Sequence, residues 1–392
     1  MTPSLQASNV RANLAGARRL VIKLGSRVLV RDTGKPETRR IRGLVRDAAR
    51  LRREGRDVVV VTSGAIGTGM QALGLARRPT ELPELQMAAA VGQSRLMRIY
   101  DRLFAAEGCT VGQVLLTHDD LKHRTRHVNA HNTMEAMFRA GIIPVVNEND
   151  VVAVDEIRFG DNDLLASLVA HLVRADLLIL LSTTDGLREP SAGGRSRRVA
   201  FVPAVTREVL GLASGKGGPL STGGMASKLE SARKVAESGA PVVIADGRKP
   251  GILTAILAGA DVGTLIAPRD GKETLPGRKR WIAFFHKPAG TLVVDPGARA
   301  ALESGGRSLL PIGVRAVEGD FPEGAAVDIR DTAGVVFARG LARLAAGDLR
   351  RVLGRRSADA ARLLGRPVEE AIHRDDLALM HAPAAPPSGE PT

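Results

Sequence analysis

Leu20-Val21-Ile22-Lys23-Leu24-Gly25-Ser26 decides the fold class: an apolar run of strand length carries a lysine near its end and breaks into a glycine turn. The pattern recurs outward along the chain. Val58-Val59-Val60-Val61 is a second apolar run, followed by Thr62-Ser63-Gly64. Between the two, Ile41, Leu44, Val45, Ala48 and Leu51 repeat at helical spacing and stop at Gly55. Further strands are predicted at Val111 to Leu116, Ile142 to Val146, Leu177 to Leu181 and Val242 to Ala245. Helices are predicted at Leu85 to Ala106, Asn129 to Ala140, Asp163 to Val173 and Ala226 to Ser238. Continuous apolar strands separated by helices imply a mostly parallel sheet covered on both faces, an α/β doubly wound domain.

That domain is expected over residues 18–267, after an N-terminal extension at 1–17. The Pro/Gly-punctuated stretch 268–279 reads as a linker. Beyond it, Trp281 to Phe285, Gly290 to Val294, Gly313 to Val317, Ala326 to Ile329 and Gly334 to Ala338 read as short strands of a small β-rich domain over 280–380. Helical stretches near Ala346 to Leu353 and Ala358 to Leu364 follow. The Pro/Ala-rich tail at 381–392 is expected to be disordered.

The chain has 392 residues, 44% of them hydrophobic and 25% charged, an ordinary globular balance. No apolar run approaches the ~18 residues of a membrane helix. Met1 to Arg19 lacks the apolar core of a secretory signal, so a cytoplasmic protein is expected. A single cysteine, Cys109, excludes an intrachain disulfide and a cysteine zinc cluster, and reads as a small buried residue. The net charge of +14 attracts anions, from nucleotides to nucleic acid. From Gly277 onward, however, basic residues exceed acidic ones only by 17 to 14, and aromatics make up 3% of the chain, leaving few stacking platforms. Nucleic acid is therefore not the expected partner.

Three glycine-bearing loops follow strands, and ligands of open α/β sheets bind at strand carboxyl ends. Lys23 beside Gly25-Ser26 can reach a phosphate, or be an ordinary strand-edge lysine. Thr62-Ser63-Gly64-Ala65-Ile66-Gly67 offers a hydroxyl and small residues at a helix start, or simply a tight capped turn. Ser221-Thr222-Gly223-Gly224-Met225-Ala226-Ser227-Lys228 joins N–H donors, hydroxyls and a mobile cation at one helix N-terminus. Two acidic clusters lie between, Asn147-Glu148-Asn149-Asp150 and Gly160-Asp161-Asn162-Asp163, and capping alone does not require so many acids and amides. Two lysines facing carboxylates and amides suit phosphoryl transfer. His118, His123, His127 and His131 show no HExxH zinc arrangement and read as surface or substrate-loop histidines. Ser63 lies in no GxSxG elbow.

Taken in order, Lys23-Leu24-Gly25-Ser26, Thr62-Ser63-Gly64-Ala65, Ala90-Val91-Gly92-Gln93-Ser94, Val146-Asn147-Glu148-Asn149-Asp150, Gly160-Asp161-Asn162-Asp163 and Thr222 to Lys228 resemble the bacterial glutamate 5-kinase family. Arg278-Lys279-Arg280-Trp281 and Ser308 to Val314 resemble that family's C-terminal PUA domain. The resemblance implies an amino acid kinase fold and ATP-dependent phosphorylation of the side-chain carboxylate of L-glutamate, the first step of proline synthesis, with Mg2+ on the nucleotide. It implies Lys23, Lys228 and Asp163 as catalytic residues, Asp163 holding the two lysines. Ser63, Asp150, Asn162 and Asn147 would bind glutamate. Lys23, Ser182, Thr183 and the run Thr222, Gly223, Gly224, Met225, Ala226, Ser227 and Lys228 would bind ATP; no metal ligand is named. It also implies a homo-oligomer, dimer or tetramer, and coupling to a glutamate-5-semialdehyde dehydrogenase. An amino acid kinase acting on aspartate, acetylglutamate or carbamate is the nearest alternative, and an RNA-binding PUA module the alternative from another class. The chain departs from the family pattern at Thr183, where an acid is usual, and at Arg27, where a second hydroxyl is common.

Overall fold

The computed structural model describes residues 3–31, 36–153, 162–191, 196–213, 224–269, 277–286 and 288–380. The chain divides into two compact units, Met1–Lys272 and Glu273–Thr392.

The first unit is built on β1 (Arg19–Leu24), β2 (Asp57–Val61), β3 (Val111–Leu116), β4 (Ile143–Glu148), β5 (Leu177–Ser182), β8 (Phe201–Val202), β9 (Val242–Asp246) and β10 (Thr264–Ile266). A separate small ribbon pairs β6 (Arg188–Pro190) with β7 (Ser196–Arg198). The main sheet has the order β3-β4-β2-β1-β5-β9-β10-β8. Its described pairings are parallel except that of β10 with β9. The carboxyl ends of β1, β2, β4, β5 and β9 therefore lie along one edge. Chain order reverses around β1, which has β2 on one side and β5 on the other; such a reversal opens a ligand crevice.

Alternation along β1 sorts its side chains by face. Leu20, Ile22 and Leu24 enter the larger core with Leu44, Val45 and Ala48 of the helix Thr38–Arg53. Lys23 points the other way, toward the helix Asp163–Leu172, which packs against β1. Each fully buried aliphatic side chain in these layers contributes about 1.5–3 kcal/mol.

The N-terminal extension is part of this unit. Pro3–Asn13 is helical, and Leu14 and Ala17 join the core. Arg11 donates to the carbonyl oxygens of Ala260 at 2.9 Å, Val262 at 3.3 Å and Ala200 at 2.9 Å, and pairs with Asp261 at 3.0 Å.

The helices Ala65–Ala72 and Leu82–Ala105 touch backbone to backbone. A Cβ built at Gly69 would meet the carbonyl of Ala88, and one at Gly92 that of Ala65. No side chain larger than hydrogen fits at this crossing.

The second unit carries a five-stranded sheet ordered β12-β11-β13-β14-β15, from β11 (Gly290–Val294), β12 (Val314–Glu318), β13 (Ala326–Arg330), β14 (Val336–Leu341) and β15 (Leu377–Leu379). One sequence expectation is corrected here. Trp281 to Phe285 is not a strand but the end of the helix Gly277–Phe285, which buries Trp281, Ile282, Ala283 and Phe285. A short apolar run has no period that separates strand from helix. The helix Pro296–Gly305, whose Asp295 caps the Ala298 N–H at 2.8 Å, was not expected from the sequence either. The tail at 381–392 lies outside the described residues. Among the described residues no helix is long and apolar enough to cross a membrane.

Candidate active site

Three charged side chains from distant parts of the sequence meet at the strand edge. Lys23 arrives from β1, Asp163 from the first position of Asp163–Leu172, and Lys228 from the first turn of the helix Met225–Glu237. Lys23 Nζ lies 2.6 Å from Asp163 Oδ1, and Lys228 Nζ donates to Asp163 Oδ2 at 2.9 Å. All three are buried, Asp163 completely. Burial pushes the Asp163 carboxyl up, but the charges of Lys23 and Lys228 outweigh it and hold it at about 2. The three side chains sum to one positive charge, which makes this a receiving point for an anion.

The loop after β2 supplies Ser63. Its shape depends on Gly64, which has φ 96° and opens Ala65–Ala72; a Cβ there would also lie 2.8 Å from Val30 Cγ2. Ser63 Oγ is buried with no hydrogen-bond partner among the described residues. Thr62, one residue earlier, is fixed by a 2.7 Å hydroxyl–hydroxyl bond to Tyr100, a fully buried phenol whose pKa burial raises.

Amides line up next to it. Asn162 Nδ2 donates to the Thr62 carbonyl at 2.6 Å and to Asn147 Oδ1 at 2.7 Å. Asn147 Nδ2 in turn donates to Gln93 Oε1 at 2.7 Å. Both amide protons of Asn162 are thus engaged, so it can meet a ligand only as an acceptor. Ser63, Asn147, Asp150 and Asn162 line one cavity of about 350 Å³, together with Arg78 and Glu148. Asp150, in the turn after β4, has a carboxyl that burial pushes up to about 6 against the pull of the Arg78 guanidinium.

The residues expected around the nucleotide are placed differently. Ser182 ends β5, and its carbonyl accepts from the Gly247 N–H at 2.9 Å. Gly25 approaches it so closely that a Cβ there would lie 3.1 Å from the Leu181 oxygen. Thr183 follows in the bend, half-buried. Gly224 precedes the helix on which Met225, Ala226, Ser227 and Lys228 form the first turn. Neither Ser182 nor Thr183 lines the 350 Å³ cavity. Thr222 and Gly223, and Asp161 of the second acidic cluster, lie outside the described residues.

Two of the histidines are more buried than expected. His118 and His127 are both enclosed, and His118 Nε2 lies 4.0 Å from Glu148 Oε2. Cys109 is half-buried at the margin of the larger core. Sequence reasoning did not single out Gln93 for chemistry, nor Arg78, which nothing in Ala76-Arg77-Arg78-Pro79 distinguishes from its neighbour. Among the described residues no group of three His, Cys, Asp or Glu side chains is placed to hold a metal ion.

The arrangement can do one kind of chemistry well. Two cations converge on a single carboxylate, Asp163, whose chain neighbour Asn162 lines a cavity of hydroxyl, amide and carboxylate groups. That geometry suits the neutralisation of an anion in transfer.

Comparison with known proteins adds the ancestry. Residues 18–246 match the model of the amino acid kinase family, and residues 290–364 that of the PUA domain. A glutamate 5-kinase of Myxococcus xanthus (strain DK1622) is 48% identical over 376 residues, covering 95% of this chain and 99% of the relative. One from Moorella thermoacetica is 46% identical over 94% of this chain and 98% of its own length. One from Citrifermentans bemidjiense is 46% identical over 94% and 99%.

Proposed function

The chain belongs to the amino acid kinase family, in its glutamate 5-kinase branch, and from that premise we propose that it transfers the γ-phosphoryl group of ATP to the side-chain carboxylate of L-glutamate. The product would be L-glutamyl 5-phosphate, entering proline biosynthesis in the cytoplasm. The observation that carries this reading is the convergence of Lys23 and Lys228 on Asp163 beside the cavity of Ser63, Asn147, Asp150 and Asn162.

The nucleophile is a carboxylate, already ionised at neutral pH, so the reaction needs no general base. The barrier lies in bringing two anions into line and stabilising the charge that spreads over the transferring group. Lys23 and Lys228 supply that stabilisation, and Asp163 keeps both ammonium groups aimed at one point. Ser63, with its unengaged hydroxyl, donates to the substrate. Asp150 and the Asn162 carbonyl oxygen accept from its ammonium, and Asn147 sets Asn162 in place.

ATP would lie along Ser182 and Thr183 and the segment Thr222 to Lys228, its phosphates toward the N-terminus of Met225–Glu237, a positive dipole end. Mg2+ would travel with the nucleotide phosphates. A dimer or tetramer, and hand-over of the labile product to a glutamate-5-semialdehyde dehydrogenase, complete the proposal. The PUA domain serves structure or regulation in this reading, not nucleic-acid binding.

The test is ATP turnover with hydroxylamine as the trap for an acyl phosphate, using L-glutamate, D-glutamate, aspartate and N-acetylglutamate. Hydroxamate from L-glutamate alone is the expected result. Hydroxamate from another acid in its place would move the substrate within the family. None from any acid would refute the reaction.

A further inference from the structure

A second cavity, of about 720 Å³, opens where the helix Thr38–Arg53 meets the loop leading from β9 to the helix Ile252–Leu257. It lies on the face of the sheet that holds Leu44, opposite to the face toward which Lys23 points. Only Arg31 lines both this cavity and the one of 350 Å³. Seven of its fourteen lining residues are Arg or Lys and two are acidic, Glu37 and Asp47, which leaves a formal charge of +5 on the wall.

Part of that charge is balanced internally. Arg31 holds Glu37 through bonds of 2.6 and 3.1 Å, and Arg248 holds Asp246 through two bonds of 2.9 Å. Arg46 lies 3.8 Å from Glu107. Arg39, Arg40, Arg42 and Lys249 make no ion pair within 4 Å and no side-chain hydrogen bond among the described residues. Glu37 lies in the field of Arg39 and Arg40, but both its oxygens are taken by Arg31. The helix sharpens the excess. Thr38–Arg53 begins without a side-chain cap and with no acid in its first turn, where Arg39 and Arg40 stand instead. A helix N-terminus is a positive pole that favours acids, so cations placed there are unfavourable until an anion arrives.

We propose that this cavity is a binding site for a small anion carrying two or more phosphate groups. Guanidinium groups receive phosphate oxygens through paired N–H donors and stay charged throughout the working pH range. A lone carboxylate or monophosphate would leave most of the +5 unmatched, whereas linked phosphates bring several negative charges into one ligand-sized volume. No aromatic ring lines the cavity, so a nucleic acid finds no platform on which to stack a base. Arg42 lines it from the helix and Lys249 from the loop after β9, so a ligand between them is held from two walls. The site is separate from the one proposed for ATP, since none of Lys23, Ser182, Thr183 or Lys228 lines it. Binding here does not depend on the reaction proposed above, because it is read without turnover.

Isothermal titration calorimetry of the full-length protein with inorganic tripolyphosphate, at low ionic strength and without Mg2+, tests the site. Arg42→Gln, Lys249→Gln and Lys23→Ala are titrated beside the parent, with circular dichroism to show each variant folded. Arg42→Gln and Lys249→Gln should each weaken tripolyphosphate binding by roughly 10-fold, the loss of one charged hydrogen-bonded contact, while Lys23→Ala stays within about twofold of the parent. Inorganic phosphate should bind the parent at least about 10-fold more weakly than tripolyphosphate. No binding by the parent, or an affinity unchanged in Arg42→Gln and Lys249→Gln, would overturn the site. Loss of binding in Lys23→Ala, with or without loss in the other two, would place the ligand at the lysine bridge and overturn it as well. Equal affinity for phosphate and tripolyphosphate would overturn the ligand class, as would tighter, Arg42-dependent binding of a short single-stranded RNA.

Discussion

Lys23 and Asp163 meet at 2.6 Å in the interior, one from the central strand and one from the start of a helix far along the chain. Lys228 completes the bridge at 2.9 Å. If this bridge aims two cations at the transferring group, Lys23→Ala and Lys228→Ala should each lower kcat by about 10²–10³-fold, the usual cost of removing one such donor. Circular dichroism and thermal melts should show both variants folded. Near-normal turnover in either would remove that lysine from the mechanism.

The same bridge makes stability depend on acid. Asp163 titrates at about 2 in the folded protein, below its ordinary 3.8. A depressed carboxyl stabilises above its unfolded pKa and loses that contribution as pH falls through the folded one. About 2 kcal/mol should therefore disappear between roughly pH 4 and pH 2. Urea titrations across that range, on the parent and on Asp163→Asn, check this. The slope assigned to Asp163 must be missing from the variant.

Asp150 should set a second pH dependence, in binding and at a higher pH. Its carboxyl is raised to about 6, so the charge that would receive a substrate ammonium is present above that pH and lost below it. The KM for glutamate should rise as pH falls through about 6, approaching tenfold per pH unit below it. In Asp150→Asn the KM should be high throughout and flat over the same interval. A pH profile identical to the parent's would show that another group titrates.

Gly92 should tolerate nothing larger. A Cβ there would fall on the Ala65 carbonyl, and the residue next along, Gln93, holds Asn147 at 2.7 Å. Gly92→Ala must push apart two helices, one of which lines the cavity with Ala65, Ile66 and Met70 while the other holds Asn147 through Gln93. Overpacking of this kind costs about 1–3 kcal/mol or more. Denaturant midpoints and the glutamate KM should both worsen; an unchanged pair would mean that the crossing is looser than its backbone contacts imply.

Arg11 should matter more than its position in an N-terminal extension suggests. Its guanidinium ties the helix Pro3–Asn13 to three carbonyl oxygens and to Asp261. Arg11→Ala should cost about 2 kcal/mol, a fall of roughly 2–4 °C in Tm for a unit of this size. Differential scanning calorimetry reads it directly, and kcat should be unaffected.

Much of the first unit was legible because its strands are continuous apolar runs and its helices long and periodic. Val58 to Val61 and the Ile41 to Leu51 repeat admit few other readings. Elements of two or three residues, such as β8 and β10, carry no period to read, and they form the edge where the sheet turns antiparallel. Trp281 to Phe285 failed for the same reason, five apolar residues being too few to show a period. At the site, lysines, glycine loops and an acidic cluster too rich for capping announced themselves, but which acid of Gly160-Asp161-Asn162-Asp163 holds the two lysines came only from the family resemblance. Arg78 was silent because the cavity that it lines is assembled from loops distant in sequence.

The most direct test of the central claim follows oxygen atoms. L-glutamate labelled with 18O in its side-chain carboxylate is incubated with the protein, ATP, Mg2+ and hydroxylamine, and the released inorganic phosphate is analysed by mass spectrometry. Attack by the carboxylate on the γ-phosphorus places a labelled oxygen in the acyl phosphate bridge, and hydroxylamine then expels it with the phosphate. One 18O per phosphate, formed in step with hydroxamate, is the predicted result. Phosphate released without label would contradict transfer to the glutamate side chain.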